Sequence, residues 1–471
     1  MTRDELWRLS ASELSARLRR HEVTPSAYLE LALERIERIN PLINALIFLN
    51  PRARDDARES TTRLRDGAAR GPLEGVPVAV KDSILVKGMP TTWGSRAFRD
   101  AISDEDEFPV KRLREQGAVI LGKTNVPEFT LEGYTSNPLF GTTGNPWDPA
   151  LTPGGSSGGS VAGVAAGIFP LALGTDGGGS IRRPASHTGL VGLKPSIGAI
   201  ARFPTLPQIL LDFEVIGPIA RTVEDAALLY NAICGPDARD RNSLTARAKP
   251  VGLEPRSELH ILYVPRFGDH PLDPEIEASV AHATKLLSTL GHRVDTGKLP
   301  FDLQPIVDFW PILGQVGLAY VFARNPGAES LAGKKFIEMA GVGRNISAAR
   351  YLEGIETVRA FRREVGGAFE YFDLIMTPTA AALPWPAAEP FPTTIAGREV
   401  GARGHAVYTA WVNACGHPAI SLPCAPAKSG LPIGFQLIAR YGEDELLFRV
   451  AAQYQRVMPF GERWPALAES I

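Results

Sequence analysis

A single α/β domain, a β-sheet covered on both faces by helices, is what the sequence predicts. Strand-type runs at residues 76–80 (VPVAV), 118–121 (AVIL), 169–173 (FPLAL) and 373–378 (DLIMTP) alternate with stretches of helical period. No internal repeat or low-complexity tract interrupts them. A length of 471 residues would by itself suggest about three domains of roughly 150 residues each, but an alternation sustained along the chain favours one continuous unit.

In chain order, residues 6–39 read as two amphipathic helices. Ser10 with Glu13 three positions later is a capping box, and Pro25 directly after Thr24 marks a second helix start. The run at 76–80 is a strand ending at Lys81, and 118–121 is a second strand after a charged helical segment. Residues 157–167 are small and apolar enough for a buried helix, with 169–173 as the strand that follows. Between about 250 and 345 the glycine-rich motifs disappear, and ordinary helix and strand are expected, with a helix stop at Gly291. Residues 373–378 form another core strand, and the proline-rich stretch 377–394 is expected as an ordered surface loop.

Composition narrows the function classes. Apolar residues are 44% and charged residues 22% of the chain, ordinary for a globular protein. A net charge of -2 without a basic stripe argues against a direct nucleic-acid partner. Cys234, Cys415 and Cys424 are too scattered for a disulfide framework and, with His417, do not match a zinc spacing, so no metal is expected. The N-terminus has no apolar signal core, and the apolar stretch 161–174 is too short and glycine-rich to span a membrane, so a cytoplasmic location is expected.

Two blocks carry chemistry: GGSSGGS at 154–160 and TDGGGSIRRPA at 175–185. Ser180 follows three glycines whose missing side chains let backbone N–H groups approach a carbonyl oxygen, so Gly177, Gly178, Gly179 and Ser180 are the candidate oxyanion hole. Ser156 taken alone reads as a helix N-cap, and Lys81 taken alone as an edge charge. Together, a lysine buried at a strand end and two glycine-flanked serines form a relay in which Lys81 accepts a proton from Ser156 and Ser156 from Ser180. Rival motifs fail on context. The G-x-S-x-G match at Ser157 follows no strand, the glycine run lacks the G-K-[ST] of a phosphate loop, and Arg183 stands where S-x-x-K would need lysine.

At these residues the sequence resembles the amidase signature family, through 137–160, 172–196 and, near the C-terminus, 416–440. The likeness extends over about residues 5–460, which it divides into N-terminal helices (5–70), a catalytic core (71–240), a variable part (250–345) and a C-terminal core (370–460). The resemblance implies one α/β/α domain with a central mixed sheet. It places the family's nucleophile on Ser180, its cis-serine on Ser156, and its general base on Lys81, and no cofactor is required. Asp176 and Arg182 match positions that brace the nucleophile loop. Arg183 matches the place where malonamidase-type members carry an arginine for a substrate carboxylate. Departures from the commoner pattern are Gly177 in place of a larger residue, His187-Thr188 in place of an aromatic-cysteine pair, and the paired Arg182 and Arg183.

The expected function is hydrolysis of a small carboxylic amide through a seryl acyl-enzyme. Rival expectations are the glutaminase component of a tRNA-dependent amidotransferase, a hydrolase of urea-like, carbamate, ester or hydrazide substrates, and a non-catalytic binding module on the same fold. The glutaminase needs an aspartate near the C-terminal motif to grip the glutamine amine, and Ala406 falls there. By the same resemblance Trp93, Phe129, Tyr134 and Phe140 lie in segments near the triad and are candidates for an acyl pocket. A homo-oligomer is compatible with the sequence, which carries no signal for the acyl group or the leaving amine.

Overall fold

The computed structural model describes residues 3–246 and 250–470. Its centre is an 11-stranded sheet. We number the strands β1 (Leu46–Leu49), β2 (Pro77–Lys81), β3 (Val119–Thr124), β4 (Leu171–Asp176), β5 (Val191–Lys194), β6 (Val215–Ala220), β7 (His260–Tyr263), β8 (Arg293–Thr296), β9 (Leu374–Pro378), β10 (Ala419–Pro423) and β11 (Gly434–Ala439). The spatial order is β1-β3-β2-β4-β6-β5-β10-β11-β9-β7-β8. Strands β3, β2 and β4 are mutually parallel, as are β9, β7 and β8, while the pairs from β4 through β6, β5, β10 and β11 to β9 are antiparallel. The sheet is therefore mixed, as expected.

Alternation along the strands sorts side chains between two cores. Val78, Val80, Leu171 and Leu173 face one, built with Leu14, Val110, Leu113 and Leu229 from helices Ala11–Arg19, Phe108–Glu115 and Val223–Ile233. Ala79, Val119, Leu121 and Ala172 face the other, against Leu29, Leu33, Val161 and Val164 from helices Pro25–Ile43 and Gly158–Ala165. The same period puts Lys81 on the Ala79 face, toward helix Gly158–Ala165. Three layers result.

The N-terminal capping box forms, with Ser10 Oγ accepting from Glu13 N at 3.1 Å and the Glu13 carboxylate accepting from Ser10 N at 2.9 Å. Thr24 caps the next helix, which runs through Pro41 to Ile43, beyond the expected end at 39. Gly291, at φ 89°, follows helix Pro274–Thr289 as the expected stop. The stretch after β9 is a surface loop only in its second part: residues 388–390, 393 and 394 are exposed, whereas residues 379–382 and Trp385 are buried, and Trp385 O accepts from Thr152 N at 2.8 Å. Its alanines and indole ring pack rather than hydrate.

The unbroken apolar stretch 161–174 is not where the longest apolar helix of the described residues lies. Helix Gln304–Arg324, 21 residues, is long and apolar enough by length and composition to cross a membrane. It packs on the core through Ile306, Phe309, Leu313 and Leu318.

Helix Gly158–Ala165 approaches β3 so closely that a Cβ on Gly159 would stand 2.3 Å from Asn125 N and 2.5 Å from Ala45 O. Gly159→Ala should therefore destabilise the protein by about 2 kcal/mol, read as a lower denaturation midpoint. A midpoint equal to wild type would show that this backbone can withdraw.

Candidate active site

Because β2 and β4 are parallel neighbours, their C-terminal ends open at one edge of the sheet. Lys81 ends β2, and Thr175 and Asp176 end β4. Ser156 lies in the turn before helix Gly158–Ala165, after a cis Gly155–Ser156 peptide. Ser180 lies between β4 and helix Arg182–Thr188. The three residues singled out in the sequence thus meet at one point of the fold.

Lys81 Nζ is within 2.8 Å of Ser156 Oγ, 2.7 Å of Thr175 Oγ1 and 3.1 Å of Thr175 O. The lysine is fully buried. Burial pushes its ammonium group down to about 7, against the opposing pull of the Glu214 and Asp176 charges. A neutral amine there donates two N–H groups to Thr175 and turns its lone pair to the Ser156 hydroxyl. The Ser156 side chain therefore serves Lys81 rather than the helix, which displaces the N-cap reading. Among the described residues Ser180 Oγ has no hydrogen-bond partner, so the Ser156 to Ser180 link of a relay is not formed in this state. Catalytic hydrogen bonds are often long without substrate and tighten in its complex.

The loop carrying Ser180 is fixed from behind. Asp176 Oδ1 accepts from Gly179 N at 2.7 Å and Arg182 Nη2 at 2.9 Å, and Oδ2 accepts from Ile181 N at 3.1 Å and Arg182 Nε at 3.0 Å. Burial alone would raise the Asp176 carboxyl, but the Arg182 guanidinium and hydrogen bonds from Arg182 and Asn413 hold it well below the usual carboxylate range. Arg182 continues to Gln436 Oε1 at 2.8 Å and Asn413 Oδ1 at 2.6 Å, anchoring the loop to β11 and to helix Ala410–Cys415.

One member of the expected oxyanion set changes. The Gly179 N–H points at Asp176, which leaves the N–H groups of Gly177, Gly178 and Ser180 for a ligand. Glycine is required on this loop: a Cβ on Gly178 would stand 2.8 Å from the Trp310 ring, and one on Gly179 2.2 Å from Thr409 Oγ1.

Ser180, Gly177 and Gly178 form the floor of a cavity of about 210 Å³. Leu131, Leu210, Trp310, Pro311, Phe336 and Met339 give it apolar walls. Its ionisable residues are Glu132, Arg183, Glu214, Lys335, Arg403 and His405. Glu132 pairs with Lys335, and Glu214 with Arg202 at 2.8 Å. Buried Arg183 has no carboxylate contact among the described residues; its Nη1 lies 3.4 Å from His405 Nε2 and its Nε donates to Gly179 O at 3.4 Å. Burial and the Arg183 charge keep the His405 ring neutral, so its nitrogen accepts from the guanidinium. Arg403 lies over the Trp310 ring, 5.0 Å from its centroid.

None of the four aromatic residues expected at an acyl pocket lines this cavity. Trp93 and Phe129 are buried in a cluster with Phe322 and Phe336, the ordinary fate of large rings. Phe140 packs edge-on against Phe48 at 5.2 Å. Tyr134 is half-buried behind Gly155, its carbonyl oxygen 2.5 Å from where a Cβ there would stand. Trp310, Phe336, Met339, Arg403 and His405 have no local motif, and only Thr175 stood inside a recognised block.

Comparison with known proteins sets this geometry in context. The profile of the Amidase family matches residues 27–448. The A subunit of the glutamyl-tRNA(Gln) amidotransferase from Symbiobacterium thermophilum is 36% identical, over 98% of this chain and 99% of its own length. An acylamidase from Rhodococcus erythropolis is 33% identical, over 99% of each chain. The crystal structure of a bacterial aryl acylamidase of the amidase signature enzymes superposes with a TM-score of 0.89 at 28% identity, covering 98% of this chain and 99% of that one.

Proposed function

Because the chain belongs to the amidase signature family, we propose that this hydrolase is a free-standing amidase using Lys81, Ser156 and Ser180. Ser180 Oγ attacks the amide carbonyl carbon, its proton passes to Ser156 Oγ, and the Ser156 proton passes to Lys81 Nζ. The carbonyl oxygen becomes an oxyanion held by the N–H groups of Gly177, Gly178 and Ser180. Collapse breaks the C–N bond, and the leaving nitrogen takes a proton returned from Lys81 through Ser156. Water then attacks the acyl-enzyme by the same relay and releases the carboxylic acid. The observation that carries this reading is the 2.8 Å contact of a fully buried, uncompensated lysine with Ser156.

Arg183 supports a finer reading, in which the acyl part bears a carboxylate. A buried guanidinium without a counter-charge gains most from an anionic ligand, and Arg403 stands on the same wall. The test is release of ammonia or amine by wild type and Ser180→Ala from aliphatic, aromatic and dicarboxylic amides, with glutamine included. Turnover should vanish in Ser180→Ala. Arg183→Leu should lower kcat/KM for carboxylated amides by roughly 10- to 100-fold and leave uncharged amides close to wild type. Equal losses on both would remove the carboxylate reading and keep the amidase.

A second reading follows from the amidotransferase component found among the relatives. Glutaminase action needs a group for the glutamine amine, yet Ala406 lies on the cavity wall where the resemblance puts that group. Ammonia release from glutamine that rises on adding partner proteins of such an amidotransferase would establish this reading instead.

A further inference from the structure

Among the described residues Lys81 has no carboxylate in contact; every partner of its Nζ is an uncharged oxygen. Its chain neighbour Asp82 faces elsewhere, 3.2 Å from buried Lys123 Nζ and hydrogen-bonded to Thr92 N at 3.1 Å. Asp176 is matched by Arg182. From the other elements packed here, Arg183, His187 and Lys194 bring cations or neutral rings rather than carboxylates. The remaining charge comes from Glu107, Arg202 and Glu214. Arg202 Nε donates to Glu107 Oε1 at 2.9 Å and Nη1 to Glu214 Oε1 at 2.8 Å. Two carboxylates on one guanidinium leave one negative charge in excess. Burial pushes the Glu107 carboxyl up, and Glu214 is the more exposed of the two carboxylates.

Glu214 is also placed to act on Lys81. It packs beside the nucleophile loop, its Cβ 3.4 Å from where a Cβ on Gly177 would stand. With Arg202 and Ser83 it lines a cavity of about 10 Å³. Ser83 Oγ lies 3.5 Å from Thr175 Oγ1, which is the 2.7 Å partner of Lys81 Nζ. Glu214 and Ser83 thus line one small cavity, and the Ser83 hydroxyl is one hydroxyl removed from Lys81.

We propose that Glu214 is a positioning residue for proton transfer: it supplies excess negative charge that stabilises Lys81 as an ammonium ion after it takes the Ser156 proton. The inference rests on Lys81 acting as the base. Carboxylate and ammonium attract through space in this buried region, so loss of the charge makes Lys81 a weaker base. Activity requires the neutral amine and rises as pH passes through the lysine's titration near 7. Removing Glu214's charge moves that rise to lower pH.

The test is the pH dependence of Ser180 inactivation by phenylmethanesulfonyl fluoride, a probe of an activated serine that needs no knowledge of the substrate. Glu214→Gln keeps an oxygen for Arg202 and should shift the acid limb down by about one pH unit, with a lower plateau rate. Glu214→Asp, which restores the charge, should return the limb close to wild type. Should Glu214→Gln not fold, Glu107→Gln removes the other carboxylate of the group and should move the limb in the same direction by less. An unmoved limb in a folded charge-removing variant overturns the role of Glu214 while leaving the base in place. A wild-type limb in Lys81→Met would instead overturn the base itself, and with it this inference.

Discussion

Lys81→Met should yield a folded protein that hydrolyses amides about 10⁴-fold more slowly than wild type, or worse. Methionine fills most of the volume of the lysine stem, so the core beneath β2 stays packed, but it offers no lone pair to the Ser156 hydroxyl. Without that lone pair the proton released when Ser180 attacks has nowhere to go, since Thr175 offers only a hydroxyl and a peptide carbonyl oxygen, both far too weakly basic to take it. Ser156→Ala should act in the same direction, and the double variant should cost little more than either alone, because a relay fails as a unit. Independent, multiplying losses would show that the two side chains do not share one proton path. Steady-state kinetics alongside thermal unfolding decides the question, because a merely structural lysine would lower stability and activity together.

The second large effect is on stability. Arg182→Met should lower the free energy of unfolding by about 3–5 kcal/mol, since it leaves the fully buried Asp176 carboxylate without its guanidinium. The side-chain oxygens of Gln436 and Asn413 would lose a donor at the same time. Against a total of roughly 5–15 kcal/mol for a typical domain, the variant stands near the edge of folding. Double replacement with Asp176→Leu should recover part of the loss, as apolar substitution of a complete buried pair commonly does. Removing the exposed Arg8–Glu469 pair should change nothing measurable. Denaturant titration of wild type beside these variants tests the argument, and an Arg182→Met midpoint equal to wild type would show that water replaces the guanidinium.

What could be read in advance follows the range of the forces involved. Strand alternation is local, and so the runs before Lys81 and at β3, β4 and β9 were visible, each within a few residues of its final bounds. The glycine and serine strings were visible for the same reason: close backbone approach demands a particular residue at a particular place, as the space around Gly178 and Gly179 makes plain. The walls of the cavity were not visible. Trp310 and Phe336 come from the stretch that sequence marked as variable, and Arg403 and His405 from a loop without any motif; only long-range packing brings them over Ser180. Trp93 and Phe129 misled because an aromatic ring has the same appearance in a string of letters whether it faces a ligand or a core. Gly179 misled in a subtler way, since its N–H was expected to face a substrate and instead ties the loop to Asp176.

The joining of β5 to β10 and the reach of Arg182 to Gln436, 254 residues away, set a schedule for the growing chain. The segments bearing Lys81, Ser156 and Ser180 are synthesised in the first half, yet the supports of their loop are among the last residues to emerge from the ribosome. Partial chains that contain every reactive group therefore lack the frame that aims them. Contacts so distant in sequence also make assembly slow compared with a locally connected helical protein. If the proposed triad acts, an incomplete chain should be inert toward the amide bonds around it, with hydrolytic competence arriving only when translation is nearly finished.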